Sequence, residues 1–167
     1  MDFFVSVGVA LAAAVLLAIS PREHWRRALG IAGVFAVVAI VLSVVLPPLT
    51  AAVLGARDEL RAYVPSATGA VASVLGFLVR RGGVAVIMGL MLRPLAEGSL
   101  PRFAVVAMGA VVPAALEVVL QADTIRTLNT VFPPVVIANL IAPEVAPPFF
   151  AGLAAAGWAT RGGEDRG

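Results

Sequence analysis

Cysteine and lysine are absent from this 167-residue chain, and histidine and tyrosine occur once each. Without cysteine there are no disulfides, thiolate metal sites, Fe–S clusters or cysteine nucleophiles. A lone histidine, His24, excludes a bis-histidine haem or a multi-histidine zinc site within one chain. It also leaves the serines without an imidazole base near any apolar run. Charge is scarce too: 13% of residues are Asp, Glu, Lys or Arg, against about a quarter in soluble domains. The net charge of +2 rests on few groups and forms no basic stripe with interleaved aromatics, so no nucleic-acid partner is expected. P-loop, dinucleotide, HExxH and nucleophile-elbow patterns are missing, and no cofactor or metal is expected. An enzyme is the least favoured class.

What the chain has in abundance is apolar surface: 60% hydrophobic residues and a mean hydropathy of +1.01. One small core cannot hide that much, so lipid must act as solvent for a large part of it. The expected fold is all-α: a polytopic transmembrane helical bundle of about five spans plus a Pro-broken C-terminal hairpin, re-entrant or of two short helices. Residues 1–160 form a single integral membrane domain, followed by a disordered cytoplasmic tail, 161–167. The expected partners are the lipid bilayer and either further copies of the chain or other membrane subunits.

Phe3 to Ile19 is an uncharged run long enough to cross the hydrocarbon. With no positive n-region before it, it reads as a retained span and not as a cleaved signal. Ala10, Ala14 and Ala18 recur every fourth residue, the spacing that lets helices approach closely in lipid. The linker after it carries Arg22, Arg26 and Arg27 beside His24 and Trp25, which marks a cytoplasmic interface. Ala28 to Leu46 is the cleanest span, striped by Ala28, Ala32 and Ala36 and ended by Pro47-Pro48. Residues 49–65 read as a non-cytoplasmic loop with a short interfacial helix.

The middle, 66–100, is interrupted by Arg80-Arg81-Gly82-Gly83. Two spans, about 62–79 and 82–100, joined by a tight cytoplasmic turn are expected, because a centrally buried arginine costs about 2.5–3.5 kcal/mol on insertion scales. The alternative is a re-entrant hairpin with Arg80 and Arg81 at its tip, an anion site deep in the membrane. A fifth span, about 103–120, contains Pro113 and Glu117. Proline there kinks the helix, and an acid in a span is a candidate for function, unless Glu117 reaches the interface near Gln121 and Asp123.

The stretch 131–150 holds five of the twelve prolines, with Asn139 and Glu144 among them. Broken backbone survives at membrane depth only where protein or a watery cavity covers it. Glu117, Asn139 and Glu144 are therefore the candidates for a substrate or ion pathway, with cations or protons expected at Glu144. A hairpin over 131–159 divides the arginines eight inside to four outside, whereas one kinked span divides them six to six, so the positive-inside rule favours the hairpin and sets the N-terminus outside and the C-terminus in the cytoplasm of a plasma-membrane protein.

Glu117, Gln121 and Arg126 ahead of Asn139 resemble the C-terminal signature of VanZ-like membrane proteins. Phe132 stands where that signature has an acid, the Glu–Gln spacing is one residue longer, and the early Asp-Lys…His pattern is absent. The function expected from the residues themselves is a small permease or channel component for an ion or small solute. The alternative is a non-catalytic structural or accessory subunit of a larger membrane complex.

Overall fold

The computed structural model describes residues 2–54 and 67–164, apart from the side chains of residues 2–3, 47–54, 67–73, 124, 135, 139, 140, 143 and 162–164. Six helices occupy the described residues: α1 (Asp2–Ile19), α2 (Arg22–Leu54), α3 (Ala67–Glu97), α4 (Arg102–Leu120), α5 (Ala122–Asn129) and α6 (Pro134–Glu164). Three segments are long and apolar enough to cross a membrane: Arg22–Leu46, Val74–Glu97 and Arg102–Leu120. The run Phe4–Ile19 is apolar but shorter. Large apolar side chains such as Phe4, Leu11, Val37, Phe103, Val111 and Val119 point outward, as they do where lipid replaces water.

Contacts along the helices set their directions. Gly76 meets Ser6 and Gly83 meets Val9, so α1 and α3 run parallel. Gly89 meets Ala28, and Arg27 bonds Glu97, so α2 and α3 are antiparallel. Gly109 faces Gly152 and Ala156 while Glu117 lies in the same cluster as Glu144, so α4 and α6 are antiparallel as well. Arg22, Arg26, Arg27, Arg93, Arg102 and Arg161 consequently gather at one end of the bundle; Arg126 on α5 lies at the other.

Lipid gives helices no hydrophobic drive to associate, so close van der Waals packing must hold them. Small residues supply it. A Cβ on Gly152 would overlap the Gly109 carbonyl, and one on Gly89 would overlap the Ala28 carbonyl. Around these contacts lie Ile31 and Phe35 of α2, Val84, Met88 and Leu92 of α3, Val105 of α4, and Ala151, Ala155, Ala156 and Ala159 of α6. The alanine stripe on α2 faces inward at Ala28 and Ala32. The stripe on α1 does not: Ala14 and Ala18 are exposed, and Ala13 is the buried alanine.

Several expectations are corrected. Helix α3 runs unbroken through Arg80-Arg81-Gly82-Gly83, so there is neither a cytoplasmic turn nor a re-entrant tip. The second glycine is a packing site, since a Cβ on Gly83 would crowd Val9, while one on Gly82 would meet nothing. Helix α2 continues past Pro47-Pro48 to Leu54; the remainder of the expected 49–65 loop lies outside the described residues. Helix α6 is one helix from Pro134 to Glu164, not a hairpin, and it includes the start of the expected tail. Pro134 opens it at the position where a missing N–H is harmless. The polar stretch 121–130 forms the short helix α5. Phe3–Ile19 and Phe103–Leu120 coincide closely with α1 and α4.

Candidate functional site

Two consecutive arginines on an apolar helix must find counter-charges or leave the bilayer. In α3 they find them. Arg81 has a fully buried side chain, and its Nη1 donates to Glu117 Oε2 at 2.8 Å. Glu117, 2% exposed, takes Arg80 Nη2 on its other oxygen at 3.2 Å. Gln121 Nε2, one turn further along α4, donates to that same oxygen at 3.0 Å. One carboxylate thus bridges two guanidiniums and an amide, which uses its acceptor capacity well. Phe77, one turn before Arg81 on α3, places its ring 5.3 Å from the guanidinium carbon, within cation–π range.

The third helix of the site is α6. Proline at 148 has no N–H for the carbonyl four residues earlier, which belongs to Glu144. Arg81 Nη2 donates to that carbonyl at 3.2 Å. A side chain from α3 therefore replaces the missing rung of α6, and the proline-rich sequence stays helical. The Glu144 carboxylate lies 3.6 Å from Arg81 Nη2 and 3.8 Å from Arg80 Nη2, and is about half exposed at 49%. These are ion-pair distances beyond hydrogen-bonding length. Glu117 is held tightly and buried; Glu144 is held loosely at the rim.

The cluster carries two positive and two negative charges. Arg81 lies 12 residues before Arg93 on α3, about 18 Å along the axis from the arginine-rich end. Glu117 lies 15 residues after Arg102, about 22 Å from the same end. The site is thus about midway along α3 but only about one turn from the α5 end of α4. A separate set at the arginine-rich end joins Arg27 to Glu97 at 2.7 Å and Arg93 to Glu97 at 2.9 Å. Arg27 also caps the Ala159 carbonyl at 3.1 Å.

Of the residues singled out in the sequence, Glu117 and Glu144 are brought together, through Arg80 and Arg81. Glu117 is buried against α3 and α6 and bonded to Gln121 at the end of α4. Asn139 belongs to α6, and its side chain lies outside those described. The expectation of a cation or proton at Glu144 does not suit a carboxylate that faces two guanidiniums. Arg80, Arg81 and Gln121 complete the site. The signal for the arginines was their adjacency in an otherwise apolar run. Among the described residues, no group of three or more His, Asp or Glu side chains is placed to hold a metal ion. No family model, curated protein or solved structure matches the chain.

Proposed function

We propose that this chain is a small permease or channel component for an ion or small solute, with the cluster of Arg80, Arg81, Glu117 and Glu144 lining its pathway. The observation that carries this reading is the pairing of the fully buried Arg81 with Glu117 where three helices meet, with Glu144 at an accessible rim. Ionised groups at membrane depth are costly to keep and characteristically line pathways for charged solutes. A freed carbonyl beside them adds a further polar contact of the kind that transport sites use.

The reading sets the arginine-rich end in the cytoplasm of a plasma-membrane protein. Six described arginines at that end against one at the other support this under the positive-inside rule. The N-terminus is then outside and the C-terminal end of α6 inside, and the cluster opens outward.

A second reading, a non-catalytic accessory subunit, is favoured by α1. Its exposed Ala14 and Ala18, beside exposed Leu11 and Val15, present a small-residue face suited to a partner helix. Reconstitution separates the two. Proteoliposomes and protein-free liposomes are exposed to a panel of salts and small neutral solutes, and entry is followed by swelling and by tracer uptake. The permease reading requires entry above background for at least one solute, altered by Glu144→Gln in a variant that melts like the parent. Background entry throughout, with partner subunits in native mass spectra, would leave the accessory reading.

A further inference from the structure

The cluster is balanced in charge but not in bonding. Both oxygens of Glu117 are engaged, by Arg80, Arg81 and Gln121. The guanidiniums are not: Arg80 Nε and Arg81 Nε are both buried without a hydrogen-bond partner. The Nε–H and the neighbouring Nη–H form the planar edge of arginine that receives an oxyanion in two parallel bonds. Glu144 spans only part of this donor set, at 3.6 and 3.8 Å, and its carboxylate is half exposed. A buried donor left unmatched is expensive, so an acceptor that fits better than Glu144 is bound favourably.

We propose that Arg80 and Arg81 form a binding site for a small monovalent oxyanion drawn from solution, with the Glu144 carboxylate as an internal stand-in that the ligand displaces. The proposal deepens the permease reading, on which its transport role rests, by naming the substrate class. When Glu144 swings outward, two guanidiniums and the single charge of Glu117 remain, a net +1 inside the bundle. One monoanion restores neutrality; a divalent anion overshoots it, and a cation adds to the excess. The binding edge is planar, which favours a carboxylate or a singly charged phosphate over a spherical halide. Glu144 itself sets the scale, since a ligand of about carboxylate size can take its position. Arg81 remains bonded to the Glu144 carbonyl throughout, so the exchange moves a side chain and not a helix.

The internal carboxylate competes with the ligand, so removing it exposes the site. Thermal melting of the full chain in lipid-stripped detergent micelles, at constant ionic strength in sodium chloride, is followed against sodium acetate, with acetamide as the neutral isostere. Glu144→Gln is expected to bind acetate about tenfold more tightly than the parent, because the competent state no longer has to be freed. Acetamide has no effect. Arg80→Gln in the Glu144→Gln background is expected to abolish the response. An equal acetate response in parent and Glu144→Gln, or a response that survives the loss of Arg80, overturns the proposal. So does the absence of any response. Phosphatidylglycerol is titrated in parallel: stabilisation by this lipid alone assigns the oxyanion to a headgroup and overturns the solute site. Binding in micelles requires no crossing, so acetate binding without liposome flux refutes the permease reading and leaves the site standing. Flux without acetate binding does the reverse.

Discussion

Breaking the Arg81–Glu117 pair is the most direct probe of whether the cluster holds the bundle together. At 2.8 Å and an effective dielectric of about 20, the gross attraction of two unit charges is about 6 kcal/mol. Desolvation cancels part of this, and removing one partner of a buried pair typically costs about 3–5 kcal/mol. Glu117→Leu should fall in the upper half of that range, because the fully buried Arg81 then keeps only Glu144, at 3.6 Å, as counter-ion. Arg81→Leu should fall in the lower half, since Glu117 retains Arg80 at 3.2 Å and Gln121 at 3.0 Å. The double variant removes both charges and leaves the looser Arg80–Glu144 pair. It should lie within about 2 kcal/mol of the parent, as buried pairs replaced by apolar residues commonly do. The coupling energy is then several kcal/mol, in the range found for close charge pairs. Reversible unfolding in mixed micelles, driven by increasing denaturing detergent, measures all four proteins. Single losses below about 1 kcal/mol, or a double variant that loses the sum of the singles, would refute the argument.

Two further outcomes test the packing and the topology. Gly152→Ala should cost about 1–3 kcal/mol, because its Cβ meets the Gly109 carbonyl and overpacking forces α4 and α6 apart; Gly157→Ala, on the same helix with open space, should be neutral or gain up to about 1 kcal/mol, and equal melting of the two would show that α4 and α6 are not in close contact. Single cysteines in this cysteine-free chain should label from opposite sides: Arg22→Cys and Ser99→Cys with impermeant reagents only from the cytoplasmic face, Thr130→Cys only from outside, and labelling of positions 22 and 99 from different sides would exclude the observed length of α3.

Much of the framework is legible in the sequence because an apolar run needs nothing but its own residues to declare a helix. Phe3–Ile19 and Phe103–Leu120 appear where they were expected. The arginines misled because the cost of burying them was reckoned for each alone. Glu117, 36 positions away from Arg81, converts two isolated charges into part of a neutral cluster, and nothing local to residues 80 and 81 reveals that. The prolines misled in the same way. Pro148 breaks a rung, but the carbonyl it frees is satisfied by a side chain 63 residues distant, so α6 continues where the prolines left a hairpin or a kinked span open and the arginine tally favoured the hairpin. Glu117 and Glu144 stood out because acids in apolar runs are rare, and the fold gathers them. Their use of Arg80 and Arg81 as partners is a tertiary fact. The Ala14 stripe shows the opposite failure: small-residue spacing marks a face able to pack, without saying whether this chain supplies the neighbour.

The long sequence separation within the cluster also imposes an order on biogenesis. A chain emerging from the ribosome presents Arg80 and Arg81 well before Glu117, and Glu117 well before Glu144. When α3 first meets the translocation channel, its two charges have no counter-ion, and each opposes partition into lipid by up to about 2.5–3.5 kcal/mol near the bilayer centre. Helix α4 follows after a turn of only a few residues and carries the carboxylate that neutralises one of them. The economical unit of insertion is therefore α3 with α4 as a pair. Helix α6 closes the assembly by bringing the last acid and the carbonyl that Pro148 leaves free.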